Sequence, residues 1–282
     1  STWNLKHTRI MLKLILEAFI SISGIAAASG IVYNNDELHI VSDNSNYLYS
    51  YNLTHLRLSK TVLFEAEPME NISKANKMDL ESITFYGNRY YLYGSGSTEK
   101  RNNRFIWDGK KVIQEDYSKI YTHFMQKFGI SKEDFNIEGV VHIDDRILFF
   151  NRGNGPKGIN AVFEYNGKAE DKSRYIPIEL PKLNGISTGF SDATVVGDDI
   201  YFIATAEDAK STYLDGEIAG SLLGKISTDL SSKPEVFQIP ENHKFEGITF
   251  KEKTDNGLIF LLCEDADTED AELMVYSLKV TN

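Results

Sequence analysis

The sequence is short of the residues that build disulfide frameworks and cysteine metal sites. Of its 282 residues only one, Cys263, is a cysteine, and six are prolines. A single cysteine excludes an internal disulfide and any cluster of cysteine ligands. The chain is 41% hydrophobic and has a mean hydropathy of −0.31, which is enough apolar material for a large core. We therefore expect a folded domain stabilised by packing.

The chain also lacks an excess of positive charge. Its 30 Lys and Arg residues face 41 Asp and Glu residues, which gives a net charge of −11. Non-specific binding to nucleic acid or to anionic membranes needs clustered cations, so we expect neither partner. The longest apolar stretch, residues 10–31, is interrupted by Lys13 and Glu17 and predicts no membrane insertion. We expect a monomer. The chain starts at Ser1 without methionine, which leaves an exported location open as one alternative.

Short apolar runs bounded by turn residues occur five times along the chain. They lie at residues 37–41, 89–93, 146–150, 199–203 and 257–262. Each follows a turn, and the strand before that turn opens on a polar residue: Ser29, Glu81, Glu138, Ser191 or Glu246. The intervals between these residues are 52, 57, 53 and 55. A period of this size is typical of a four-stranded propeller blade with long loops.

We therefore predict an all-β fold, a single five-bladed β-propeller spanning residues 1–282. Its blades cover approximately residues 29–65, 79–115, 136–181, 189–240 and 244–282. The fifth unit has only three strands, so a strand within residues 5–22 is expected to complete it and close the ring. Apolar residues at helical spacing in 116–129 predict one short helix between blades 2 and 3. The alternative is a β-sandwich or barrel with a chance pattern.

The five polar residues that open the first strands are predicted to form a ring at one mouth of the central channel. They are Ser29, Glu81, Glu138, Ser191 and Glu246. Three carboxylates in a narrow channel raise one another's pKa unless a cation lies among them. Ca²⁺ takes six to eight oxygen ligands, and the ring has no His or Cys to favour zinc or copper. The alternative is that these side chains bind only water and backbone.

The loops between the second and third strands of each blade should return to the same mouth. They would bring one acidic group, which includes Asp43, Glu264, Asp265 and Asp267, and one basic group, Lys100, Arg101, Arg104, Arg152 and Lys157. Arginine side chains above a bound cation are suited to hold a phosphate or carboxylate. The alternative is an ordinary solvated surface of charged loop tips.

The order Ser, Glu, Glu, Ser, Glu around the ring resembles that of the calcium-activated nucleotidase (apyrase) family of five-bladed propellers. The stretches 244–250 (KFEGITF), 189–191 (GFS) and 148–152 (LFFNR) are similar to strings of that family, and Asp43 is similar to a family aspartate. The resemblance implies one Ca²⁺ in the channel, held by Ser29, Glu81, Glu138, Ser191 and Glu246. It also implies hydrolysis of nucleoside di- and triphosphates.

The function predicted from these features is Ca²⁺-dependent hydrolysis of a phosphate ester or anhydride of a small molecule. Asp43 would orient or deprotonate water, and Arg152 would neutralise phosphoryl charge, which makes them the predicted catalytic residues. The predicted substrate-binding residues are Lys100, Arg101, Arg104 and Lys157. The alternative is a non-catalytic ligand-binding or protein-interaction propeller with a structural Ca²⁺.

Overall fold

The protein is a ring of five four-stranded antiparallel sheets. The computed structural model describes residues 12–167, 172–206, 220–264 and 271–281. Blade 1 contains β2 (Ala28–Asn34), β3 (Glu37–Ser42), β4 (Tyr47–Asn52) and β5 (Arg57–Val62). Blade 2 contains β6 (Leu80–Tyr86), β7 (Arg89–Gly94), β8 (Asn103–Trp107) and β9 (Val112–Asp116). Blade 3 contains β10 (Ile137–Ile143), β11 (Arg146–Asn151), β12 (Ala161–Tyr165) and β13 (Arg174–Pro177).

Blades 4 and 5 complete the ring. Blade 4 contains β14 (Thr188–Val196), β15 (Asp199–Ala206), β16 (Ser221–Ser227) and β17 (Glu235–Gln238). Blade 5 contains β18 (Phe245–Thr254), β19 (Gly257–Glu264), β20 (Glu272–Thr281) and β1 (Lys13–Ser23). The first strands of the blades contact one another in the cyclic order β2, β6, β10, β14, β18 and back to β2. This closed order confirms the predicted five-bladed propeller.

The ring is closed by pairing of the two ends of the described chain. Strand β1 runs antiparallel to β20, from the pair Lys13 and Thr281 to the pair Ser23 and Glu272. Ile22 on β1 is 1% exposed and packs in the core cluster between blades 5 and 1. The predicted closing strand is therefore present, although it ends one residue later than expected.

One α-helix interrupts the β pattern in the described residues, between blades 2 and 3 as predicted. Helix α1 (Ser118–Phe128) buries Tyr121 and Phe124 against blade 3. It ends at Gly129, whose φ of 67° is left-handed and whose backbone N–H donates to the Met125 carbonyl. Glycine adopts this conformation without steric cost, so it is a common helix stop. A short 3₁₀ turn at Glu99–Arg101 was not predicted. The described chain contains no helix long and apolar enough to cross a membrane.

Each first strand carries a β-bulge at the same point. In every blade the register between the first and second strands shifts by one residue. The extra, unpaired residues are Ser29, Glu81, Glu138, Ser191 and Glu246. A bulge bends the strand and re-aims its side chain. The backbone, repeated five times, therefore sets these five residues apart from the regular ladder.

Candidate functional site

A polar cavity of about 480 Å³ lies at the mouth where the bulges are found. Its lining includes four of the five bulge residues, Ser29, Glu81, Glu138 and Glu246, and the loop residues Asp43, Arg101 and Arg152. Asp43 and Arg152 directly follow β3 and β11, so the loops after the second strands do return to this mouth. The cavity has six acidic and six Lys or Arg side chains in its lining. The formal charges of the lining are therefore balanced, although the chain as a whole is strongly acidic.

Arg152 lies between two of the bulge glutamates. Its Nη1 atom is 3.6 Å from Glu138 Oε1 and 3.6 Å from Glu246 Oε2. The Arg152 side chain is only 6% exposed, so this cation is held inside the protein rather than at a loop tip. The sequence predicted Arg152 at this mouth but did not predict that it pairs with ring residues. In the described chain a guanidinium therefore supplies part of the charge compensation that the ring needs.

A second ion-pair network fills the side of the cavity nearest blades 1 and 2. Lys77 Nζ lies 2.8 Å from Asp43 Oδ2 and 3.0 Å from Asp79 Oδ1. Arg101 donates to Asp79 Oδ2 at 3.2 Å and to the Lys74 carbonyl at 2.8 Å. Lys77 and Asp79 lie in the connection from blade 1 to blade 2 and are not among the site residues predicted from the sequence. A signal was present: Asp79 stands two residues before its bulge residue.

The position two residues before the bulge residue is also occupied by a polar side chain in blades 3 and 5. Asn136 in blade 3 and Lys244 in blade 5 occupy it, and both line the cavity. Asn136 Nδ2 donates to Glu138 Oε1 at 3.2 Å, and Lys244 Nζ is 3.7 Å from Glu246 Oε1. In blades 3 and 5 the connection into the blade thus brings a partner for the bulge glutamate that follows it.

The carboxylates form a close cluster on the side of blades 1 to 3. One carboxylate oxygen from each of Asp43, Asp79 and Glu81 lies within 4.8 Å of the others. Burial, and then the negative charges of Glu138 and Asp79, raise the pKa of Glu81 well above its usual value. Glu138 is 5% exposed, burial likewise raises its pKa, and its Oε2 atom has no hydrogen-bond partner in the described structure. A buried carboxylate oxygen without a partner is costly unless a ligand or ion satisfies it.

Several predicted site residues lie away from the cavity lining. Ser191 is fully buried and donates to Thr205 Oγ1 at 2.8 Å. Arg104 is turned toward Glu115, with Nη2 2.7 Å from Glu115 Oε1, and its guanidinium packs on Tyr117. The ion pair with Glu115 and the packing of the guanidinium on the Tyr117 ring hold Arg104 in a partly buried position away from the mouth.

The two remaining predicted lysines are exposed and are also absent from the cavity lining. Lys100 Nζ donates to Asn76 Oδ1 at 2.7 Å. The backbone N–H of Lys157 donates to Asp134 Oδ1 at 2.9 Å. Of the predicted acidic group, Asp265 and Asp267 lie outside the described residues. Of the four predicted substrate-binding residues, Arg101 is the one that the described structure places in the lining.

His243 is expected to make stability depend on pH. Its Nδ1 is 2.9 Å from Glu264 Oε2 and its Nε2 is 2.7 Å from Glu241 Oε2. Burial alone would lower the pKa of His243, but hydrogen bonds and charge from the two glutamates outweigh it and raise the pKa above 6.5. The imidazolium therefore stabilises the fold fully below pH 6.5, and this contribution is lost as the pH rises through the folded-state pKa.

Urea unfolding of wild type and His243→Gln across pH 5.5–9 measures this effect. The difference in unfolding free energy between the two proteins should shrink as the pH rises. Parallel curves for the two proteins would show that His243 is not the titrating group.

Comparison with known proteins gives the fold and one family. The chain is similar to the glutaminyl cyclase of Myxococcus xanthus, with a TM-score of 0.52 and 12% identity over 95% of this chain and 98% of that one. It is similar to the PQQ-bound aldose sugar dehydrogenase of Streptomyces coelicolor, with a TM-score of 0.55 and 12% identity over 95% and 98%. A third likeness is the alpha-L-arabinanase of Cellvibrio cellulosa, with a TM-score of 0.51 and 13% identity over 89% and 90%.

At such low identity these likenesses concern the propeller fold, which the three enzymes share with this chain. No curated protein sequence matches the chain. One family model does match, over residues 24–280, which include all four strands of blades 1 to 4 and nearly all of β18–β20 in blade 5. The chain therefore belongs to DUF6929, a family of unknown function.

Proposed function

We propose that the cavity binds Ca²⁺ and that the protein hydrolyses a phosphate ester or anhydride of a small molecule there. The observation that supports this most strongly is the buried, unpartnered Oε2 atom of Glu138 beside the carboxylate cluster. The order of the bulge residues, which resembles that of calcium-activated nucleotidases, favours the same ion. Propeller enzymes among the structural neighbours agree with a catalytic role in general terms.

The residues present fit a hard divalent cation. Asp43, Asp79 and Glu81 would hold the ion, because one carboxylate oxygen of each lies within 4.8 Å of the others, and Glu138 in the same lining would add a fourth oxygen; these are the ligands that Ca²⁺ requires. Ser29 adds an oxygen, although its hydroxyl hydrogen is given to the Leu80 carbonyl. The fit differs from the predicted ring, because Ser191 is not in the lining and Arg152 already lies 3.6 Å from both Glu138 and Glu246. When bound, the ion would polarise a phosphoryl oxygen and offset its charge.

The basic side chains have a defined role in this proposal. Arg152 and Arg101 are both buried in the cavity wall, so their guanidinium groups are already desolvated and fixed for binding an oxyanion. Lys74, Lys132 and Lys244 line the outer part of the cavity from three different interblade connections and would attract the anionic substrate. Asp43 is only partly buried, which lets its carboxylate reach a water molecule at the mouth.

Thermal unfolding of chelator-treated protein tests the ion before any substrate is known. A ligand bound only by the folded state at 100 times its Kd adds about 2.7 kcal/mol of stability. We expect Ca²⁺ to raise the melting temperature, Mg²⁺ to raise it less, and Glu138→Gln to abolish the Ca²⁺ effect. Glu99→Gln, which alters an exposed acid with a side chain 93% exposed, is the matched control and should behave as wild type.

Phosphate release from a panel of nucleotides and sugar phosphates then tests catalysis. Asp43→Asn should lower turnover about 100-fold or more. Because its amide keeps an oxygen donor, it should reduce the Ca²⁺-dependent melting shift less than Glu138→Gln does. A calcium shift without phosphate release from any compound would favour the alternative, a ligand-binding propeller with a structural ion. Absence of a shift with Ca²⁺ would contradict the metal site and the hydrolase together.

A further inference from the structure

The ammonium group of Lys77 lies between two of the carboxylates proposed to bind the ion. Its Nζ atom is 2.8 Å from Asp43 Oδ2 and 3.0 Å from Asp79 Oδ1. The Lys77 side chain is 15% exposed, so this cation is held in the cavity wall and not at a loop tip. A bound metal ion and the lysine would therefore use carboxylates of the same two residues.

The spacing of the carboxylates suits a divalent ion. Two oxygens that each lie about 2.3–2.6 Å from one Ca²⁺ are at most about 4.6–5.2 Å apart. One oxygen from each of Asp43, Asp79 and Glu81 lies within 4.8 Å of the others, which agrees with this limit. Glu138, whose buried Oε2 atom has no hydrogen-bond partner in the described structure, lies in the same lining. The group that stands in the way of an ion is the ammonium of Lys77.

Both carboxylate oxygens of Asp79 already face a cation. Oδ1 lies 3.0 Å from Lys77 Nζ, and Oδ2 accepts from Arg101 Nη1 at 3.2 Å. A divalent ion bound to Asp79 would therefore be close to two positive side chains. Like charges repel one another strongly in a cavity that is partly shielded from water. Binding of the ion thus requires one of these two side chains to move away.

Lys77, and not Arg101, is the side chain that is free to move. Both contacts that the described structure gives to Lys77 Nζ are with carboxylates of the cluster. Arg101 has two acceptors outside the cluster, because it also donates to Ser97 Oγ at 2.8 Å and to the Lys74 carbonyl at 2.8 Å. These two hydrogen bonds hold the guanidinium group even when Asp79 binds an ion. The stem of lysine is also the more flexible of the two.

The backbone on both sides of Lys77 is fixed, so its side chain can move alone. The Lys77 N–H donates to the Ser73 carbonyl at 2.9 Å. The Asp79 N–H donates to the Asp43 carbonyl at 3.1 Å. Between them, Met78 is 7% exposed and packs in the core between blades 1 and 2. Rotation about the side-chain bonds of Lys77 is then sufficient to carry the ammonium group toward the mouth of the cavity.

We propose that Lys77 competes with Ca²⁺ for Asp43 and Asp79, so that the ion binds only when the ammonium group moves away. This competition rests on the Ca²⁺ site proposed above. In the ion-free protein, Lys77 neutralises the two carboxylates and stabilises the fold. When Ca²⁺ binds, the ammonium group moves to the mouth and adds a cation on the side where an anionic substrate would enter. Lys77 thereby raises the Ca²⁺ concentration at which the site is filled.

Calorimetric titration of chelator-treated wild type and Lys77→Gln with Ca²⁺ tests the competition. Removal of the competing cation should tighten Ca²⁺ binding about 5- to 150-fold, the usual range for coupling between two binding events. Without the ion, Lys77→Gln should melt below wild type, because Asp43 and Asp79 lose a counter-ion, and saturating Ca²⁺ should narrow this difference. Lys74→Gln is the matched control. It removes the same charge from an exposed position of the same cavity and should leave the Ca²⁺ affinity near that of wild type.

Amine labelling of the wild-type protein measures the movement itself and covers the case in which Lys77→Gln does not fold. Acetylation by an N-hydroxysuccinimide ester at constant pH, followed by mass spectrometry, reports how accessible each lysine is. Saturating Ca²⁺ should make the labelling of Lys77 faster. Lys110, which is exposed in the turn between β8 and β9, is the internal reference and should be labelled at an unchanged rate.

The outcomes separate this competition from the Ca²⁺ site itself. Ca²⁺ affinity that is equal or weaker in Lys77→Gln, or labelling of Lys77 that bound Ca²⁺ does not change, would overturn the competition and leave the site in place. Ca²⁺ binding by Lys77→Gln but not by wild type would support the competition and contradict a Ca²⁺-dependent activity of the wild-type protein. Absence of Ca²⁺ binding in both proteins would overturn the competition and the site together.

Discussion

Deletion of residues 1–23 is expected to leave a chain that is not cooperatively folded at room temperature. The deletion removes β1 and with it the antiparallel pairing to β20. It also removes Leu14 and Leu16 from the core between blades 4 and 5 and Ile20 and Ile22 from the core between blades 5 and 1. A fully buried apolar side chain such as Ile22 contributes about 1.5–3 kcal/mol, and the partly buried Leu14, Leu16 and Ile20 contribute less each, against a total stability of about 5–15 kcal/mol. β20 would become an exposed edge that promotes aggregation.

Circular dichroism and thermal unfolding of the truncated chain measure the loss. A synthetic peptide of residues 12–23, added in excess, should restore a cooperative transition, because it can pair with β20 from outside the chain. A peptide of the same composition in scrambled order is the control. If the truncated chain melts as wild type does, ring closure by β1 does not limit the stability of the propeller.

Gly224→Ala is expected to destabilise the protein by about 3 kcal/mol through a steric clash in blade 4. Gly224 on β16 pairs directly with Phe202 on β15, and the Phe202 ring lies across it. A Cβ atom at Gly224 would be 1.9 Å from Phe202 Cζ, and Phe202 is itself fully buried against Phe190. The φ angle of Gly224 is not in the left-handed region, so the requirement for glycine is one of space and not of backbone conformation.

A double-mutant cycle separates this clash from a general loss of strand propensity. Phe202→Leu shortens the side chain and should make room for the new methyl group. We expect Phe202→Leu with Gly224→Ala to be more stable than the sum of the two single changes by about 1–3 kcal/mol. Additive effects in urea unfolding would show that the ring is not what excludes alanine.

The fold was accessible from the sequence because the same pattern occurs five times. A polar residue followed by alternating apolar positions and a turn fixes the first two strands of each blade, and the near-constant interval identifies the repeat. The missing strand of blade 5 then followed from counting. The ends of the outer strands were harder to predict. Outer strands such as β13 (Arg174–Pro177) are short and pair with only one neighbour in the sheet, so fewer contacts determine where they begin and end.

The candidate site was only partly accessible, for two physical reasons. Lys77 lies in a connection that belongs to no strand, so no periodicity marks it, and the repeated position that marks Asp79 lies outside the strands that define the repeat. The direction of a long side chain also depends on which residues lie near it in space, and the sequence does not show this. Arg101 points into the cavity and pairs with Asp79. Arg104, three residues later, instead contacts Glu115 and Tyr117. The bulges were likewise not predicted, because an extra residue becomes visible only when two strands are aligned.

The bulges have a consequence for how the mouth of this propeller could be redesigned. Because the register shift recurs in all five blades whether the extra residue is serine or glutamate, the backbone does not depend on the side chain it carries there. The four positions that line the cavity, which exclude the buried Ser191, are thus attachment points for side chains on a fixed backbone. Substituting histidine, aspartate or lysine at one of them, Ser29 for example, would exchange a functional group at the mouth without altering strand pairing. The propeller is in this sense a scaffold with four positions at which the chemistry of the mouth can be changed.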